Sequence, residues 1–277
     1  MKRIAFIGGD ARMIFAARAF ERDGYGVAAF GFDLAAEDLS DIAAGSAAEA
    51  LAGAEYAVLP PLVSRDGENV YAPLSSAKIP LRGLCFGGAA VYGGKCRGID
   101  AEVKNYAARE VFAVRNAVPT AEGAIKIAME ATGSSICGMR ACVLGFGRIG
   151  AVLSRDLAAL GARVDAFARR SEARALARSF GAEAYDFGAL GVHIGSYDCI
   201  FNTVPERVLG ESELKGIKRG APFIELASAP GGADEELVRA LGVKFVPAGG
   251  LPGKIMPAAA GKIVYETVKE MMEEETV

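Results

Sequence analysis

Short apolar runs alternate along the chain with stretches of helical spacing. The first run, "KRIAFI" (residues 2–7), leads into the glycine turn "IGGDAR" (7–12), and then Ile14, Ala17 and Phe20 recur at helical spacing. Gly24 stands where that helix should stop, ahead of a second apolar run. The order repeats from Ala141 in "ACVLGFGRIGAVLSRDLAALGARVDAFARR", with Val152, Leu153, Leu157 and Leu160 as the apolar helix positions and Gly161 as the stop. Strand, turn, helix and strand, twice over, predict two βαβ openings and two doubly wound parallel-sheet α/β domains.

Further apolar runs fill out each half. "EYAVLP" (55–60) and "IPLRGLCFGG" (79–88) predict two more strands in the first. "YDCIFNTVP" (197–205), "APFIELAS" (221–228) and "VKFVPAGG" (243–250) predict three in the second. Between the halves, residues 101–133 predict two helical stretches broken near Pro119. Their apolar positions are Val111 and Val114, then Ile125, Ala128 and Met129; Thr120 caps the second stretch and Glu122 lies in its first turn. The expected organisation is a Rossmann-like first domain over 1–100, linking helices over 101–134, a Rossmann domain over 135–252, and a C-terminal helix over 253–277 that crosses back onto the first domain.

Composition narrows the classes. The 277 residues are 52% apolar and 23% charged, with a net charge of −3, and no apolar run reaches the length of a membrane span. The interleaved charges suggest neither a nucleic-acid nor a membrane surface, and the chain is expected to be cytoplasmic. The five cysteines form no C-x-x-C pair and are expected to be buried, reduced thiols. His193 is the single histidine, so no His-based metal site or Ser-His pair is expected, and acid–base chemistry falls to other groups.

The second turn carries the clearest chemistry. In "VLGFGRIG", Gly145, Gly147 and Gly150 form G-x-G-x-x-G at a strand end that opens a helix. Gly145 permits the tight turn, Gly147 admits a pyrophosphate, and Gly150 allows close helix–strand packing. Phe146, Arg148 and Ile149 complete the loop. The next strand ends at Ala168, Arg169, Arg170 and Ser171, and Asp165, the one nearby acid, lies inside it. Two guanidinium groups suit a 2′-phosphate, so NADP(H) is the expected cofactor. Asn202, Thr203, Val204 and Pro205, then Ala227 and Ser228, then Leu251 and Pro252, are the expected cofactor contacts at later strand ends.

The first turn departs from this logic. Asp10 replaces Gly147 and Met13 replaces Gly150, so only one dinucleotide is expected. Arg12, with Ser64, Arg65, Thr120 and Lys254, is a candidate for holding a substrate carboxylate, and Asp10 and Glu122 are candidate bases. Tyr106 is expected to pack.

Taken in order, "IGGDAR", "NAVPTAEGAI", "VLGFGRIG", "FNTVP" and "GLPGKIMPAAAG" resemble the dipicolinate synthase A-subunit family across nearly the whole chain. The resemblance implies oxidation of dihydrodipicolinate to dipicolinate with NADP⁺ in endospore-forming bacteria. It also implies, as a partner, the flavoprotein-like B-subunit of dipicolinate synthase; a homodimer is left open. The alternatives are another two-domain NAD(P)-dependent dehydrogenase for a small carboxylate or amino acid, or a cofactor-binding regulatory subunit.

Overall fold

The computed structural model describes residues 1–35 and 37–275, and the chain divides into two compact units, Met1–Asn116 with Pro252–Val277, and Ala117–Leu251. Each unit is a parallel sheet flanked by helices.

In the first unit, β1 (Arg3–Ile7), β2 (Gly26–Phe30), β3 (Tyr56–Val58), β4 (Ala90–Gly93) and β5 (Val103–Asn105) pair in the order β2-β1-β3-β4-β5, all parallel. The alternation in β1 decides what packs on each side. Ile4 and Phe6 face the Ala11–Arg22 helix and the C-terminal helix Pro257–Glu274. Ala5 and Ile7 face a second core that includes Leu59, Leu81, Leu84, Phe86 and Val91.

Three elements differ from the sequence expectation. "IPLRGLCFGG" joins neither sheet: Pro80 makes only an isolated antiparallel bridge to Asn69, Ile79, Leu81, Leu84 and Phe86 are buried, and the rest is turn and coil, with Gly83, Gly87 and Gly88 at positive φ. The glycines favour turns and end the pairing after that bridge, and β4 forms just beyond Gly88. Residues 103–105, expected to be helical, form edge strand β5 instead. A short turn follows, in which Asn105 accepts from the Ala108 N–H at 3.1 Å, and buried Tyr106 donates to the Leu59 carbonyl at 2.9 Å.

A single helix, Glu110–Thr132, replaces the expected pair and runs through Pro119. An interior proline costs about 3 kcal/mol, but Ala117, Ala121, Ala124, Ile125 and Ala128 are all buried along it, and that packing outweighs the defect. Val114 and Met129, expected on its buried face, are exposed, as is Leu160 in the second unit. Thr120 is therefore a buried mid-helix residue rather than a cap, and Glu122 an exposed one rather than a first-turn acid.

In the second unit, β6 (Arg140–Leu144), β7 (Arg163–Phe167), β8 (Glu183–Tyr185), β9 (Cys199–Asn202), β10 (Pro222–Glu225) and β11 (Lys244–Pro247) pair in the order β11-β10-β9-β6-β7-β8. That is the 3-2-1-4-5-6 arrangement, whose strand order reverses beside β6 and opens a crevice at the carboxyl ends there. One face is filled by Cys142, Leu144, Phe167, Ile200 and Phe223. Of the five cysteines, all free, only Cys142 and Cys199 are buried; Cys85 and Cys137 are exposed and Cys96 is partly so. His193 stacks on Tyr185 with ring centroids 4.4 Å apart, a packing role.

The C-terminal helix returns to the first unit and lies on the Ala11–Arg22 helix. A Cβ at Gly261 would stand 2.5 Å from both the Arg12 carbonyl oxygen and the Phe15 Cβ, so only glycine admits this approach. Gly261→Ala should cost about 1–3 kcal/mol of stability by overpacking, read as a lower urea midpoint with an unchanged slope.

Candidate functional site

The two strand–turn–helix corners share one backbone frame. Gly8 and Gly145 both have positive φ, and each donates its N–H at 2.9 Å to the last carbonyl of the neighbouring strand, Phe30 and Phe167 respectively. The residues that begin the helices also match in conformation: Asp10 at φ −86°, ψ −176°, and Gly147 at φ −91°, ψ −159°. Both are extended backbone that any residue adopts. The difference between them is therefore chemical.

In the second unit, Gly145 and Gly150 answer to the protein. A Cβ on Gly145 would lie 2.5 Å from the Thr203 hydroxyl, and one on Gly150 would run into the Gly145 carbonyl. Gly147 does not: a Cβ there would meet nothing within 4 Å. Neither strain nor packing calls for glycine at that position, and its missing side chain leaves the space over the loop open to a ligand. No side chain caps the Arg148–Ala159 helix, so its first N–H groups point to the same open space. The donors and the room fit a dinucleotide pyrophosphate.

A cavity of about 400 Å³ continues from the loop, lined by Gly145, Phe146, Gly147, Ala168, Arg169, Arg170, Ala173, Phe187, Val204 and Glu206. It lies where β6, β7 and β9 end, as the strand order requires. Phe146 is buried against Phe180, its ring 6.2 Å away. Arg148 is exposed at the helix start and Ile149 is half-buried behind it. Arg170 caps the next helix by its backbone, and Ser171, exposed, is the first residue of that helix. Asp165 points elsewhere: it accepts from the Tyr197 hydroxyl at 2.7 Å. Burial above all, with Cys142 and this hydrogen bond, pushes the Tyr197 phenol up, so it stays a donor.

At the strand ends beyond β9 and β10, polar side chains are bonded within the protein. Asn202 is fully buried, and its amide is spent within the protein. It donates to the Val204 carbonyl at 2.9 Å and to Glu225 at 2.7 Å, and accepts from the Val204 N–H. Thr203 donates to the Leu144 carbonyl at 2.9 Å. Both side chains hold the loop in place; Val204 lines the cavity, and Pro205 is exposed. Buried Glu225 also gathers the N–H groups of Ala227 and Gly232 at 2.9 and 2.8 Å, fixing the turn that carries exposed Ser228. Leu251 and Pro252 are buried at the start of a short helix, and Lys254 is exposed on it.

Sequence reasoning missed Ala173, Phe187, Glu206 and Glu225. Glu206 directly follows the quoted "FNTVP", and Glu225 opens "ELAS"; a polar residue at the carboxyl end of a parallel strand was the available signal.

In the first unit, the Asp10 carboxylate takes the place of the open space. It accepts from the Arg12 N–H at 3.2 Å, capping the helix, and pairs with the Arg12 guanidinium through Nε at 2.8 Å and Nη2 at 3.0 Å. Met13 is wholly buried in the core, and a Cβ on Gly9 would strike it, so this turn needs glycine where the other has Phe146. Gly253 closes over the ion pair, since a Cβ there would overlap both Arg12 and Asp10. Both Asp10 oxygens thus hold the Arg12 guanidinium in a fixed orientation. Ser64 and Arg65 have other partners. Ser64 joins a turn built on Asp66, and Arg65 stacks on Tyr71 at 4.2 Å. Tyr106 packs: burial pushes its phenol up.

Among the described residues, no group of three His, Cys, Asp or Glu side chains is placed to hold a metal, and no helix is long and apolar enough to cross a membrane.

The comparison of the corners is testable. Gly147→Asp should rebuild the Asp10 cap in the second unit, keeping or raising the melting temperature, because an Asp cap contributes roughly 1 kcal/mol. It should also weaken NADH and NADPH binding by at least about tenfold, through the like charge facing the pyrophosphate. Gly150→Ala should instead unfold the unit. Fluorescence titration with thermal melting separates the two, and unchanged binding in Gly147→Asp would refute the assignment.

Residues 3–108 match the family model of the dipicolinate synthase A-subunit N-terminal domain, and residues 106–248, just over half the chain, match the NAD-binding domain of D-isomer specific 2-hydroxyacid dehydrogenases. The dipicolinate synthase A-subunit of Bacillus subtilis (strain 168) is 34% identical over 166 residues, which cover 60% of this chain and 56% of that relative, so the match spans little more than half of the relative's length. Two solved structures are similar over nearly the whole fold. The dipicolinate synthase A-subunit from Bacillus halodurans has a TM-score of 0.87 at 27% identity, covering 98% of this chain and 97% of that one. Its counterpart from Bacillus subtilis has a TM-score of 0.83 at 27% identity, covering 99% and 96%. The second unit thus belongs to the dehydrogenase-type NAD-binding domain family, which takes a nicotinamide dinucleotide, and the chain as a whole resembles the dipicolinate synthase A-subunits.

Proposed function

We propose that this chain is an NADP-dependent oxidoreductase that converts dihydrodipicolinate to dipicolinate. The reading rests on the family and on one observation within the second unit. The tip of β7 carries Arg169 and Arg170 on the wall of the cavity, while the only acid in that strand, Asp165, is turned to Tyr197. A free 2′-hydroxyl is ordinarily met by a carboxylate at this tip, whereas a 2′-phosphate is met by guanidinium groups.

Gly145, Gly147 and the Arg148–Ala159 helix start would hold the pyrophosphate, Arg169 and Arg170 the 2′-phosphate, and Val204 and Phe187 the adenosine. Bound NADP⁺ supplies an acceptor for the hydride. The substrate ring becomes aromatic as it loses a hydride and a proton, so the chain has mainly to position it and balance its two carboxylates. Arg12 is the proposed carboxylate anchor: Asp10 fixes one edge of its guanidinium, leaving the Nη1 side to donate. The proton is released to solvent. That the relatives are named for one lettered subunit of a synthase supports a partner chain, and a flavoprotein-like B-subunit is the proposed one.

Arg169→Ala with Arg170→Ala should weaken NADPH binding at least about tenfold, by loss of charge-assisted bonds worth roughly 1.5–3 kcal/mol, and leave NADH within twofold. Equal losses would sink the 2′-phosphate assignment. Arg12→Gln should raise KM for dihydrodipicolinate, followed by absorbance of both products, with the dissociation constant for NADPH unchanged. An unchanged KM would remove Arg12 from the substrate site.

A further inference from the structure

The cavity that carries the two arginines also contains an acid. Glu206 lies on its wall, four residues past the end of β9, and accepts from Arg169 Nη2 at 2.7 Å. Both side chains are 62% exposed, so the pair does not stabilise the fold appreciably; exposed pairs of this kind contribute about 0.2–1 kcal/mol. Nothing else in the second unit calls for a carboxylate there. The adjacent cation, Arg174, is already satisfied by the carbonyls of Ala168 and Arg169 at 2.8 and 2.6 Å and by Asp186 at 3.3 Å. Arg169 is therefore the cation of the cavity wall that has an exchangeable partner.

We infer that Glu206 is a specificity-determining residue that moderates the 2′-phosphate preference by holding Arg169 until a phosphate displaces it. The inference rests on the NADP reading above. A dianionic phosphate is a stronger partner for a guanidinium than one carboxylate, and it can take both Arg169 and Arg170. Glu206 must then let go of Arg169, so the affinity observed for the phosphorylated cofactor is lower by the strength of the pair. A cofactor with a free 2′-hydroxyl leaves the pair undisturbed. Because the pair is exposed, the effect is bounded at a few-fold and declines with salt.

The test is a set of dissociation constants for NADPH and NADH, measured by fluorescence titration on the full chain at low and high ionic strength. Glu206→Gln keeps the shape and removes the charge. It should tighten NADPH about two- to fivefold at low salt, less at high salt, with NADH changed less than about 1.5-fold. In an Arg169→Ala background the same substitution should gain nothing, because there is no pair to release. A gain that persists in that background would mean simple charge repulsion and would overturn the exchange. NADPH binding unchanged or weakened in Glu206→Gln would overturn the inference, while a selective NADPH loss in Arg169→Ala with Arg170→Ala would leave the NADP reading standing. If Glu206→Gln instead weakened NADH alone, the acid would be a ligand of the 2′-hydroxyl and both readings would fall.

Discussion

The first backbone N–H groups of a helix have no carbonyl within the helix to bind, and how they are satisfied separates the two halves of this chain. The corners have the same geometry: a left-handed glycine tied to the neighbouring strand, then an extended residue, then the helix. At the first, Asp10 fills the position with its own carboxylate. At the second, Gly147 leaves it open, although its backbone would accept any residue. The first helix start has its anion built in, and at the second the proposed pyrophosphate would supply it.

Much of the surrounding structure follows from that choice. Where the anion is internal, the corner can be closed: Arg12 neutralises Asp10, Gly253 covers the pair, and Met13 enters the core with Gly9 yielding room. Where it is external, the corner must stay open and rigid. Gly150 holds the helix against the turn, and Thr203 buttresses it through the Leu144 carbonyl. The Asn202–Glu225 bond ties the ends of β9 and β10 together beneath the exposed loop residues. A buried, fully hydrogen-bonded carboxylate of this kind rigidifies at the cost of leaving strong penalties if one partner is removed.

The two-domain organisation, the glycine triad and the arginine tip are all legible in the sequence, because each depends on local patterning. Ile4 to Ile7 form an apolar run, Phe20 falls on the helical stripe, and the spacing of Gly145, Gly147 and Gly150 is read without knowing any distant neighbour. The misreadings come from places where local preference is overruled. Pro119 argues for a break, yet the helix continues because the alanines around it are buried. "IPLRGLCFGG" looks like a strand because it is an apolar run before a glycine turn, yet it makes only one isolated bridge and packs its apolar residues into the core beside the sheet.

Side-chain roles divide along the same line. Sequence alone determined that one corner is open at its helix start and the other carries an acid there, since an absent Cβ and a carboxylate are properties of the residue itself. Tertiary structure alone decided that Asn202 bonds to Glu225, that Asp165 belongs to Tyr197, and that Arg169 pairs with Glu206 at the cavity. The partners in these three contacts lie 23, 32 and 37 residues apart in the chain. Where a side chain's hydrogen bonds go is settled by which strand ends the sheet brings together, and no short-range pattern encodes that.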